Sequence, residues 1–198
     1  MGLPRRDEAH HTWADYRSWA GDERYELIEG VAYLMVPAPG VAHQTVAFEI
    51  GRQAANALEG GPCRVLVAPL DVRLPRPGQR EEETDTVVQP DVLVVCDPGR
   101  IEAGGVRGAP DWIVEVLSPA TAGHDQILKR RVYEQAGVRE YWLVHPQDRV
   151  LTVYRLGAGG YGAPEIAELT GETPVAAVPG VTIHWEPIVE RLGPQPAL

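Results

Sequence analysis

The sequence predicts an α/β fold, and three observations carry that reading. The first is a strand-helix-strand unit within Ala109 to His145: the run Trp112 to Leu117 is apolar except for Glu115, a helix follows from about Asp125 to Gln135 closed by Gly137, and a second strand-like run covers Arg139 to Val144. The second is a helix over Val41 to Leu58, where Val46, Ile50, Ala54 and Leu58 recur at four-residue intervals. The third is a set of short apolar runs, Cys63 to Ala68 and Thr86 to Cys96 among them, punctuated by proline and glycine as strands are.

At 198 residues, 44% of them hydrophobic, the chain is long enough for one well-buried domain, and residues 1–198 are read as one. No run approaches the roughly 18 to 20 apolar residues that span a bilayer, and the polar N-terminus lacks the apolar core of a signal peptide. A cytoplasmic protein with no membrane partner is expected. The formal net charge of −10 argues against broad affinity for phosphate backbones, although Lys129, Arg130 and Arg131 form a local basic run. Cys63 and Cys96 lie in separate apolar runs without zinc-site spacing and read as buried free thiols.

In chain order, Thr12 caps a short helix, WADYRSWA, ended by Gly21. Arg24 to Val36 reads as two strands joined at Glu29-Gly30, where glycine supplies the freedom of a tight turn. Glu29 has a plain reading there as an exposed turn residue. The helix from Val41 carries His43 in its first turn, within reach of a substrate but more simply structural. Strands are expected at Cys63 to Ala68 and Asp71 to Leu74, and the charged segment PRPGQREEETD reads as a solvated excursion. Thr86 to Cys96 is a buried strand interrupted at Pro90-Asp91, with Asp91 on the same side as Leu93 and Val95. Asp97 to Gly108 reads as a loop, Val150 to Leu156 pairs back on Arg139 to Val144 as a hairpin, and strands near Glu165 to Leu169 and Val181 to Trp185 precede a proline-rich tail.

Two carboxylates in apolar company define the candidate chemistry. An ionised carboxylate in a buried strand is costly unless paired or metal-bound, so Asp91 and Glu115 each need a partner. On neighbouring strands they form a cradle for a hard divalent cation such as magnesium, with manganese as the alternative. Such an ion polarises a phosphoryl oxygen and activates water, while a nearby ammonium stabilises the charge that develops. Lys129 could supply the ammonium; the plainer reading is an exposed i,i+4 ion pair with Asp125, worth a few tenths of a kcal/mol.

The motifs VVQPDVLVV, APDWIVEVLSPAT, the lysine-bearing helix and AGVREYWLVHP, with RYELIEG and APGVAHQ near the start, resemble the Uma-two family of restriction-endonuclease-like proteins in the PD-(D/E)XK superfamily. The resemblance is strongest over residues 25–156. It implies a restriction-endonuclease-like core, a mixed central β-sheet flanked by helices with an N-terminal helix and hairpin, and metal-dependent cleavage of phosphodiester bonds in DNA. Asp91 matches the family's Pro-Asp position and Glu115 its second acid. The superfamily's usual lysine two residues after that acid is replaced by Leu117, and Lys129 maps to a relocated substitute on the following helix. Glu29 matches an acidic position in the early hairpin and would complete a metal set of Asp91, Glu115 and Glu29. A homodimer is expected, since cutting both strands of a duplex takes two active sites. The competing readings are a non-catalytic binding or assembly module on the same scaffold and a hydrolase of another phosphate ester. No DNA-reading motif is present to choose a target.

Overall fold

The computed structural model describes residues 5–35, 40–118 and 123–194, with the side chains of 124 and 125 left aside. The chain builds a seven-stranded mixed sheet with two helices on one face, and a third helix and a second, six-stranded sheet on the other.

The N-terminal helix α1 (Trp13–Ser18) starts at Thr12, whose hydroxyl accepts from Asp15 N while the Asp15 carboxylate accepts from Thr12 N. Strands β1 (Tyr25–Ile28) and β2 (Val31–Leu34) pair antiparallel across the two-residue turn Glu29-Gly30. Both turn residues have positive φ, 51° and 82°, the geometry that matches strand twist in a tight hairpin. A side chain at Gly30 would also collide with the His10 ring. Helix α2 (Val41–Ala57) follows, then β3 (Arg64–Val67), β4 (Val72–Arg73), β5 (Val87–Val88) and β6 (Val92–Val95). Proline and aspartate at 90 and 91 split the expected single strand into β5 and β6, which join different sheets.

The expected loop at 97–108 contains a short hairpin, β7 (Ile101–Glu102) with β8 (Gly105–Arg107). Strand β9 (Trp112–Val116) leads through residues 124–129, wound as wider π-type turns, into α3 (Arg130–Ala136), which ends on Gly137 at φ 89°. Strand β10 (Glu140–His145) then runs parallel to β9 and pairs antiparallel with β11 (Val150–Gly157), so the strand-helix-strand unit and its hairpin are both present. The remaining strands are β12 (Gly160–Tyr161), β13 (Glu165–Glu168), β14 (Glu172–Pro174) and β15 (Thr182–His184). The expected proline-rich tail begins with a helix, α4 (Glu186–Leu192), which buries Ile188.

The larger sheet runs β12-β11-β10-β9-β6-β3, with β13 also on β11, and the second runs β2-β1-β5-β4-β8-β7. On one face of the larger sheet, Val46, Ile50 and Ala54 of α2 and Trp185 and Ile188 near α4 pack on Trp112, Val114 and Trp142. On its other face, Val132 and Tyr133 of α3 and Ile28, Val72 and Val88 of the second sheet pack on Leu93, Ile113 and Leu143. A third cluster places Trp13 of α1 on the far side of the second sheet, against Leu27 and Val87.

Two expectations fail for reasons that only the tertiary pairing supplies. Cys63 and Cys96 are not free thiols: one residue beyond the pair Arg64↔Val95 they face each other across β3 and β6, and they form a disulfide. The segment 75–85 is not simply solvated, because Thr84 and Asp85 are buried, Asp85 accepts from Arg76 at 2.6 Å, and Glu81 bonds the buried Arg73 of β4.

Candidate active site

Strand β9 lies inside the larger sheet, so all five of its residues are buried. Alternation sends Trp112, Val114 and Val116 to the α2 side and Ile113 and Leu117 to the α3 side. Glu115 shares the latter side and projects towards α3. Its Oε1 accepts from Lys129 Nζ at 2.9 Å and from the Tyr133 hydroxyl at 2.7 Å. Lys129 and Tyr133 are four residues apart, the spacing that puts two side chains on one side of a helix. Lys129 is therefore not on an exposed helix face: it is 3% exposed, and the Asp125 side chain of the alternative pair lies outside the described atoms.

The second partner of that ammonium is a residue the sequence reading passed over. Lys129 Nζ stands 2.8 Å from Oε1 of Glu26, on β1, and the same oxygen accepts from Gln89 N at 2.8 Å. Glu26 is 1% exposed. Glu29, assigned to this place from the sequence, belongs elsewhere: its positive φ puts it in the hairpin turn, where it forms an ion pair with Arg131 on the surface side of the helix. The signal for Glu26 was present and of the same kind as that for Glu115, a lone acid in the apolar run Tyr25 to Ile28. Alternation gives Glu26 the orientation of Ile28, which packs in the core that contains Tyr133.

Asp91 stands at the mouth of β6. Extending the pair Val92↔Val114 by one residue sets it opposite Glu115. Pro90 has no N–H and ends the regular strand, and Asp91 Oδ2 takes a bond from Val116 N at 2.8 Å. His43 of α2 reaches the same oxygen with Nε2 at 3.1 Å, while its Nδ1 is buried without a protein partner among the described residues. His43 thus contacts a candidate site residue directly.

Burial, and secondarily the Glu115 charge, pushes the Tyr133 hydroxyl well above its ordinary pKa, so it stays a neutral donor. Glu26, Glu115, Lys129 and Tyr133 together carry a formal charge of −1, with the Asp91 carboxylate on the adjacent strand. Oxygen donors with an excess of negative charge suit a hard divalent cation in chemistry and in sign. Among the described residues, however, no three Asp, Glu, His or Cys side chains are gathered as an ion-binding group, and Lys129 is the cation that the two glutamates share.

The family model described as "Uma2: Putative restriction endonuclease" matches residues 13–186. The chain belongs to the Uma2 family. A Synechocystis sp. relative, "Uncharacterized protein slr1290", is 26% identical over 149 residues, 74% of either chain. Among solved structures, one described as a putative nuclease belonging to DUF820 from Anabaena variabilis aligns with a TM-score of 0.69 over 92% of this chain and 99% of its own. At 22% identity that likeness speaks for the fold, and the Uma2 chain has the restriction-endonuclease-like α/β architecture. None of its helices among the described residues is long and apolar enough to cross a membrane.

Proposed function

We propose that this Uma2 protein is a metal-dependent DNA endonuclease that hydrolyses phosphodiester bonds with Asp91, Glu115, Glu26 and Lys129. The observation that carries the reading is the convergence of a β1 acid, a β9 acid and one ammonium in contact, with Asp91 set opposite Glu115. Magnesium or manganese, when bound, supplies Lewis-acid activation of water and of the phosphoryl oxygen. Asp91 and Glu115 would hold it, with Glu26 keeping the shared ammonium in place. Asp91 is oriented for that task by Val116 N and His43, and Glu115 by Lys129 and Tyr133. The Lys129 ammonium brings fixed positive charge to the place where the phosphate gains negative charge, a role that needs no proton transfer.

The test is cleavage of supercoiled, linear and branched DNA with magnesium or manganese beside an Asp91→Ala control. Metal-dependent cleavage lost in the control supports the proposal; no cleavage of any substrate by folded protein defeats it. The homodimer belongs to the same proposal and is checked by light scattering, where a mass of 21.6 kDa at high concentration would remove it. One observation favours a non-catalytic module on the same scaffold: Lys129, Glu26 and Glu115 are all at most 3% exposed and bonded to one another, as a structural ion cluster would be. That reading predicts no cleavage when the fold is intact.

A further inference from the structure

We propose that Tyr133 is a positioning residue of the hydrolytic site, its hydroxyl fixing how the Glu115 carboxylate is turned; the inference rests on the nuclease reading. Tyr133 and Lys129 donate to the same atom, Glu115 Oε1, at 2.7 and 2.9 Å. They are unlike as anchors. A lysine ammonium is a point charge on a flexible stem with three rotatable donors, so by itself it leaves the carboxylate's rotation loosely set. The tyrosine hydroxyl sits on a rigid ring with two torsions.

That ring is held in place. It is fully buried and meets Tyr141 of β10 edge-on at a centroid distance of 4.9 Å. Its backbone is fixed too, because the Tyr133 carbonyl accepts from Gly137 N and Val138 N where α3 ends. The helix terminus, the ring contact and the hydroxyl thus form one rigid path from β10 to the β9 acid. A phenylalanine would fill the same space, so packing does not require the hydroxyl; orienting Glu115 does.

The test compares wild type, Tyr133→Phe and Tyr161→Phe as full chains. Tyr161 is the control because its hydroxyl is also buried in this core, donating to Val138 O at 2.8 Å with no contact to Glu115. Three quantities are read: Mn²⁺ binding by calorimetry with the metal alone, kcat and KM on supercoiled plasmid, and the melting temperature. Loss of a partner that orients a metal-ligating carboxylate characteristically costs about 10- to 100-fold in affinity or activity. Tyr133→Phe should weaken Mn²⁺ binding and lower kcat on that scale, with KM for DNA within about twofold of wild type. Tyr161→Phe should melt at a temperature as low as Tyr133→Phe does, with wild-type Mn²⁺ affinity and kcat. A crystal structure of Tyr133→Phe should show Glu115 turned from its wild-type orientation, and this readout needs no activity.

Wild-type Mn²⁺ affinity and kcat in folded Tyr133→Phe overturn the inference and leave the nuclease reading standing. An unmoved Glu115 in the variant crystal overturns it equally. A wild-type protein that neither binds Mn²⁺ nor cleaves DNA removes the nuclease reading, and this inference falls with it.

Discussion

Replacing Lys129 by methionine keeps most of the side chain's length and removes its charge, leaving Glu26 and Glu115, both at most 3% exposed, without the ammonium they share. Breaking a buried ion pair by deleting one partner costs about 3–5 kcal/mol, because the remaining charge stays desolvated. For a chain of this size each kcal/mol moves the melting midpoint by roughly 2–4 °C, so Lys129→Met should melt roughly 6–20 °C lower. Urea and thermal unfolding followed by circular dichroism measure this directly. The triple variant Lys129→Met, Glu26→Gln, Glu115→Gln should recover much of the loss, because the stranded charges go with the ammonium. A midpoint unchanged in Lys129→Met, or a triple variant less stable than the single one, would refute the buried-cluster argument. The result also sets a condition on catalytic tests. A surface lysine could be removed without harm to folding; this one cannot, so rates for Lys129 variants are meaningful only below their own melting transitions.

Further outcomes follow from the same contacts. Glu26→Gln should reduce DNA cleavage about 100-fold or more, on the scale of losing an electrostatic group from a site, whereas Glu29→Gln should leave cleavage unchanged and cost under about 1 kcal/mol, as an exposed ion pair does; equal losses in both would return Glu29 to the site. Burial raises the Asp71 carboxyl above its ordinary 3.8, with the bond from Gln89 opposing the shift. The folded state then holds that proton more tightly than the unfolded chain, so wild-type stability falls as pH rises above 3.8 through the raised value. Asp71→Asn should be more stable than wild type at pH 7, with the difference vanishing below 3.8, and melting curves across that range with no convergence would contradict the sign. The Cys63–Cys96 bridge spans a sequence separation of 33, which by loop entropy is worth about 3–4 kcal/mol; dithiothreitol should therefore lower the melting midpoint of wild type, and thiol counts before and after reduction check that the bond was present.

The parts of the fold written in local pattern were readable from the residues. The capped first helix, the Glu29-Gly30 hairpin, the α2 stripe and the β9-α3-β10 unit each depend on neighbours in sequence, and each is present. Asp91 and Glu115 were legible because each interrupts a long apolar run, whereas Glu26 interrupts one of only four residues. What sequence did not reveal depends on which strands become neighbours. The disulfide needs β3 beside β6, and the second sheet gathers two- to four-residue strands too short to show a period. Glu29 was named because a turn acid matched a family position and Glu26 was passed over, yet the turn's positive φ carries Glu29 to Arg131 while strand alternation carries Glu26 inward. Lys129 was open to two readings, the site's ammonium or half of an exposed pair with Asp125, and the family resemblance favoured the first; its burial follows only from the packing of α3 against β9.

The face of the larger sheet beneath α2 has a consequence for how the chain is made. Trp112 and Trp142 on that face are covered in part by Val178, Val181, Trp185 and Ile188, and Glu140 in the same region accepts from Ala177 N at 2.8 Å. These covering residues leave the ribosome after every strand of the sheet they cover. During synthesis, at about 5–20 residues per second, a nascent chain that has formed β9, β10 and β11 must wait with two indoles incompletely sheltered until residue 188 emerges from the exit tunnel. A chain halted before Trp185 should therefore be a strong client for holdase chaperones, while a chain extended past Ile188, with Trp185 seated 6.2 Å from Trp142, should release them.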